Sequence, residues 1–366
     1  MGIMISPEDK LIAAMSAKQA QIRLQNCAGG LPHIVKGALR KEPRLVALLK
    51  SYEYSYQKTR MIQILYTYDV TLEYQENSPD DLSNVEVDSG AWDANSLLEN
   101  GAPRETVIVT QNPKDIGTRL GGIMSKLLSK YEGIHGWNVS SSSFEKVSDY
   151  TVCNISYAYL LPLQQLRQLQ GKAAFAAKNI WKKILGKASV PQFVKPFLAF
   201  SYLTQNVAYD KRAYDEVESD VSRLPTDPIP HLAYGPLVEN RGICGGFAWA
   251  FQTLMAAVGV ECICVFGYLK EKQTVGHFWN LVKIDGQYYH VDATSGRTDD
   301  GMNVNYLMQP DSMMKASHIW DIENYPSAKG LQFSYDFVED YLVENGTGFL
   351  DAGAAEAIFF PDAIID

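Results

Sequence analysis

The chain has 366 residues, 46% hydrophobic and 11% aromatic with 21 tyrosines, and only 20% charged. That composition excludes a disordered chain and supplies one large core or two ordinary ones. With 33 basic against 42 acidic residues the formal charge is −9, which disfavours a nucleic-acid or anionic-membrane surface as the main partner.

In chain order, Ser6 to Gln25 has helical spacing with a Ser-Pro start, and Gly29-Gly30 ends it. A second helix is expected around Val35 to Ser51. Met61 to Tyr74, rich in β-branched and aromatic residues, reads as a strand, and the polar run Glu76 to Gly101 as a long loop. Glu105 to Gln111 is a short strand. Pro113 to Tyr131 is a helix with apolar Ile116, Leu120, Ile123, Leu127 and Leu128, and Tyr150 to Tyr159 is a strand. Leu49 to Tyr52 before Tyr68-Asp69-Val70 is echoed by Leu128 to Tyr131 before Tyr150-Thr151-Val152, which a duplicated helix-strand unit or chance would equally explain. Beyond Pro162 the pattern turns helical over Leu163 to Leu185 and Val190 to Tyr209, separated at Gly186. A proline-rich connection at 227–230 leads into the informative stretch, His231 to Pro326. Leu331 to Asp366 is acidic and reads as a docked helix followed by loosely held residues. No run approaches the roughly 18 apolar residues of a membrane span, and no basic leader precedes one.

Five cysteines are too few, and odd in number, for a disulfide scaffold. Cys27, Cys153, Cys262 and Cys264 sit among apolar or β-prone neighbours and read as small buried hydrophobes. Cys244 differs. In Asn240-Arg241-Gly242-Ile243-Cys244-Gly245-Gly246-Phe247 it is followed by an apolar face at Phe247, Phe251, Leu254 and Val258, with Gly259 as a stop. It therefore stands in the first turn of a helix, where unpaired N–H groups and the helix dipole favour a thiolate. Gly245 and Gly246 leave room for a substrate backbone. A glycine-rich turn with an incidental cysteine is the rival reading of this segment taken alone.

The stretch from Gly276 to Asp292 carries two β-type runs flanking Asp285-Gly286, a two-residue hairpin signal. With that turn Ile284 faces Gln287, and His277, Trp279, Tyr288, His290 and Asp292 project from one face. His277 and Asp292 are diagonal neighbours within about 8 Å, close enough for the carboxylate to accept the imidazole Nδ1–H. A three-residue turn would reverse that parity. A nucleophile at a helix start and a histidine held by an acid are the parts of an acyl-transfer site. Alone, His277 reads as a satisfied strand histidine. A zinc site from Cys244, Cys262, Cys264 and His277 lacks the paired CxxC knuckles, and His231, His290 and His318 read as core or rim residues. No P-loop, dinucleotide or calcium-loop pattern is present, so no cofactor is expected and no metal is assigned.

Gly-Ile-Cys-Gly-Gly-Phe, then Gly-His-Phe-Trp-Asn, then His-Val-Asp-Ala-Thr together resemble the bacterial transglutaminase-like domain of the papain-like thiol enzymes. Supporting matches are Asn206 to Asp210, Ala233-Tyr234-Gly235, and His318 to Asp321. The resemblance covers roughly 160–330. It implies an α+β fold in which the cysteine helix packs on an antiparallel sheet, preceded by a smaller α+β domain at 1–159 and followed by an acidic extension at 331–366. It also implies Cys244 as nucleophile, His277 as base then acid, and Asp292 as orienting partner. The oxyanion would be held by the Cys244 N–H and a further donor, for which Tyr234 is named from its place upstream; Gly245 and Trp279 are grouped with it as substrate-side residues. Members often carry a tryptophan after the threonine of the acid motif, whereas here Thr294 is followed by Ser295-Gly296, so substrate preference does not carry over.

The expected function is cleavage of protein or peptide amides through an acyl-thioester, by hydrolysis more than transamidation. The alternatives are a silent peptide- or protein-binding module, and acyl transfer from a small thioester donor. Free thiols lean toward a reducing compartment, yet relatives of this domain are often exported, so localisation stays open, as does oligomeric state.

Overall fold

A computed structural model of the chain describes residues 5–60, 64–75, 79, 82–88, 105–111, 124–143, 150–186, 189–221, 223–298 and 301–345. The chain divides into two compact units, 1–120 with 137–157 and 121–136 with 158–366. Residues 121–136, which the sequence reading assigns to the N-terminal domain, thus group with the second unit.

In the first unit a helix at Pro7–Ser16 is capped by the Ser6 side chain. The chain then turns at Lys18, whose φ is 48°, into a strand at Gln21–Cys27. The expected helix to Gln25 therefore stops nine residues early, because this segment pairs edge-on with Ile64–Tyr74. The next helix, Leu31–Lys41, ends before Pro43, and a strand at Leu49–Arg60 replaces the helix expected to reach Ser51. These three strands form an antiparallel sheet with Ile64–Tyr74 in the centre. Val85–Asp88 is a strand inside the run read as loop, pairing parallel with Glu105–Thr110. Thr151–Tyr159 is a strand near its expected position, and Ile134–Ser143 is one the pattern did not announce. Of the helix expected from 113 to 131, residues 124–130 are helical and 112–123 lie outside the described residues. Most of the long loop and residues 346–366 also lie outside them.

The second unit is α+β. The helix Leu163–Leu185 buries Ala173, Ala177, Ile180, Trp181 and Ile184, one stripe at helical spacing. It packs with Val194–Asn206 on the helix Cys244–Ala257, which buries Cys244 to Ala248, Ala250, Phe251, Leu254 and Met255 because neighbours cover most of its surface. Trp181 donates its indole N–H to the Leu254 carbonyl at 2.8 Å. Beneath the cysteine helix lies an antiparallel sheet in the order Gln287–Val291, Lys272–Ile284, Cys262–Leu269, His318–Ile319. The hairpin turn is the expected two-residue one, with positive φ at Asp285 and Gly286, and Ile284 pairs with Gln287. The helix Tyr335–Asn345 adds Val338 and Leu342 to the core. Among the described residues no helix is long and apolar enough to cross a membrane.

Candidate active site

Cys244 is the first residue of its helix, with Ile243 as the extended N-cap. Its N–H, like others in a first helical turn, has no partner within the helix. The loop before it is tightly tied. Ala208–Tyr209 pairs parallel with Arg241–Gly242, and the Arg241 guanidinium reaches Asp210, Asp227 and Glu239, each at 2.8 Å. A Cβ on Gly246 would overlap the Pro230 carbonyl oxygen. That glycine therefore serves close packing of helix on loop rather than substrate approach; Gly245 does line a cavity beside the sulfur.

The sheet carries the other two residues. His277 is 7% exposed and Asp292 fully buried, with His277 Nε2 at 2.7 Å from Asp292 Oδ2. The ring presents Nε2 to the acid, not Nδ1 as expected, which leaves Nδ1 for the thiol; Cys244 lies within hydrogen-bonding reach of the ring. Burial works against a charged ring, but the Asp292 carboxylate and Cys244 outweigh it and raise His277 to about 10. Burial likewise opposes the Asp292 charge, and the two histidines overcome it, holding the carboxyl well below the usual range. Beside Asp292, the Thr294 and Ser295 N–H groups donate to Oδ1 at 2.9 and 3.0 Å.

Three contributors escaped sequence reasoning. His318 donates from Nε2 to the same Asp292 oxygen at 3.0 Å, and its Nδ1 lies 2.8 Å from Ser317 Oγ. Asn280 donates to the Ala248 carbonyl at 3.0 Å, tying the histidine strand to the cysteine helix one turn beyond the thiol. Tyr209 shares a cavity with Cys244 and His277. Burial, and then the nearby sulfur, drives its hydroxyl's pKa upward, so it stays protonated and able to donate. The signal for Tyr209 was the Asn206 to Asp210 match; for His318 it was the His318 to Asp321 match.

Two expected site residues are elsewhere. Tyr234 packs on the helical core, with Lys172 Nζ 6.0 Å from its ring centre, and lines neither cavity that touches Cys244. Trp279 is 1% exposed and donates its indole N–H to His290 Nδ1 at 2.9 Å. His290 in turn meets Asp311 Oδ1 at 2.9 Å. Trp279 therefore packs beside the His277 and His318 rings as a wall of the network. Gly267 makes this possible, because a Cβ there would strike the Trp279 ring.

Among the described residues His277, Asp292 and His318 have donor atoms close enough to share a metal ion, yet the carboxylate already accepts from both rings. Cys262 and Cys264 lie outside that group, both buried, with burial raising both thiols.

Residues 180–293 match the transglutaminase-like superfamily, so the chain carries a transglutaminase-like domain with an α+β core. Solved structures that resemble it include a TGase, 13% identical with a TM-score of 0.28, covering 55% of this chain and 53% of that one. A candidate cysteine protease from Cytophaga hutchinsonii is 16% identical with a TM-score of 0.27, covering 49% and 71%. The periplasmic domain of TgpA from Pseudomonas aeruginosa is 12% identical with a TM-score of 0.23, covering 80% and 94%. The chain spans about half the length of the first of these. No curated protein matches it.

Proposed function

We propose that the transglutaminase-like domain is a cysteine enzyme that cleaves protein or peptide amides through an acyl-thioester. The observation that carries this reading is the buried His277–Asp292 pair at 2.7 Å, whose ring interacts with the Cys244 thiol at a helix start. With His277 holding a proton beside an ionised Asp292, Cys244 acts as thiolate. Its sulfur attacks the carbonyl carbon, and the C=O electron pair moves onto oxygen. The Cys244 N–H and the Tyr209 hydroxyl are the candidate donors to that oxyanion. Collapse expels the amine, which takes the Nδ1 proton of His277 as the C–N bond breaks. Water then gives a proton to Nδ1 and attacks the thioester, releasing a carboxylic acid and restoring the thiolate. Hydrolysis is favoured over transamidation because water is always abundant and, among the described residues, neither cavity beside Cys244 presents an acidic side chain to hold an amine.

The test is alkylation of Cys244 by iodoacetamide near neutral pH, followed at that residue by mass spectrometry, in the parent, His277→Ala and Tyr209→Phe chains. Fast labelling of the parent, lost in His277→Ala and retained in Tyr209→Phe, supports the roles. Equal labelling of parent and His277→Ala would overturn the pairing.

A further inference from the structure

Cys244 lies where two cavities of the second unit meet, and their chemistry differs. One, about 200 Å³, is lined by Leu128, Ile134, Trp249, Phe266, Val275 and Phe278, and among the described residues no Lys, Arg, Asp or Glu lines it. Burial, and then His135, lower the His231 imidazole on its wall to about 4. The other, about 380 Å³, is lined by His277, Tyr209, Thr294, Ser295, Lys272 and Arg297. His277 borders only the second. Because the acid must hand its proton to the departing nitrogen, the leaving amine occupies the cavity that His277 borders. The acyl part of the substrate is then left with the apolar cavity, whose floor at Gly245 has no side chain to block it.

We propose that the apolar cavity is a specificity pocket for one aliphatic or aromatic side chain on the acyl side of the scissile amide, and that it rejects charged side chains there. This rests on the roles given to Cys244 and His277. A volume of about 200 Å³ is several times the roughly 30 Å³ share of one water, so it holds one large side chain and little more. Burying such a side chain is worth about tenfold to a hundredfold in binding, whereas a charged one finds no opposite charge among the lining residues and loses its hydration.

The experiment uses the full chain and dipeptidyl fluoromethyl ketones that carry Leu, Phe, Asp or Lys at either acyl-side position, with iodoacetamide as the small reference. At one of the two positions, Leu or Phe should inactivate at least about tenfold faster than Asp or Lys, while iodoacetamide labels Cys244 in every sample. Val221 lines this cavity and is 51% exposed, so Val221→Asp can be made without opening the core. It should slow the Phe probe and speed the Lys probe, each rate taken relative to iodoacetamide labelling of the same variant. Equal rates for all four side chains at both positions, with iodoacetamide labelling still dependent on His277, would overturn the pocket and leave the catalytic pair standing. If iodoacetamide labelling ignores His277, the pair fails and the pocket assignment fails with it.

Discussion

Two hairpins, one in each unit, are made of similar material and treat their polar residues in opposite ways. Leu49–Arg60, paired with Ile64–Tyr74, alternates tyrosines with polar residues along its length, and Tyr54 and Tyr56 stand 44% and 59% exposed. Its charges face water: Lys50 meets Glu73 at 2.7 Å, and Asp69 meets Arg23 at 3.5 Å, with side chains about half exposed. Lys272–Ile284 with Gln287–Val291, running on into Asp292, instead buries His277, Asn280, His290 and Asp292. Each buried polar group costs about 1–3 kcal/mol unless it is bonded. A hydrophobic sheet would hold the cysteine helix at less expense, since buried ion pairs are poor stabilisers. The second hairpin thus gives up stability for geometry: it delivers an imidazole, fixed by one carboxylate bond and an aromatic wall, to the start of a helix.

Substitutions at matched positions can break that contrast. The largest expected effect is Asp292→Ala, which strands two buried histidines and should cost about 3–5 kcal/mol in denaturant unfolding. Asp69→Ala on the other hairpin should stay within about 0.5 kcal/mol. Comparable losses at both sites would end the distinction. Next, His277→Ala should slow Cys244 alkylation at neutral pH by roughly tenfold or more. Asn280→Ala should cost about 1–2 kcal/mol by freeing the helix from the strand, and the relaxed geometry should slow Cys244 alkylation as well. A stability loss with an unchanged alkylation rate would reduce Asn280 to packing.

The pH dependence of the pair is a finer probe. His277 is raised, from 6.5 to about 10, so its stabilising contribution is complete below 6.5 and is lost as pH climbs toward 10. Asp292 is lowered, so its share is present above the ordinary carboxylate range and is lost only in strong acid. The melting-temperature gap between the parent and His277→Gln should therefore narrow between pH 6 and pH 10; a widening gap would contradict the pairing. The smallest effect belongs to the exposed hairpin, where Tyr56→Ser should change unfolding by no more than about 0.5 kcal/mol.

Much of the candidate site was legible because its signals are local. A cysteine before two glycines and an apolar stripe, and Asp-Gly between alternating runs, each need only a few neighbouring residues to declare a helix start and a two-residue turn. The first unit was read less well. Gln21–Cys27 and Leu49–Arg60 owe their extended form to pairing with Ile64–Tyr74, and that partner lies far along the chain. His318 was missed as a site residue because its strand is two residues long, too short for any periodicity. Tyr234 was named over Tyr209 because sequence proximity to Cys244 was a poor guide to distance: the two-residue pairing of Ala208–Tyr209 with Arg241–Gly242 brings the earlier tyrosine in.

By itself the sequence determined where the cysteine helix begins, where the hairpin turns, and therefore which residues share a face with His277. Those features follow from backbone preferences and side-chain alternation that act over a few residues. Only the tertiary structure decided which ring nitrogen meets Asp292, that a second histidine shares its oxygen, that Trp279 is wall rather than cleft, and that Cys244 sits between an apolar and a polar cavity. Each of those depends on packing between segments tens of residues apart, where no short-range preference reaches.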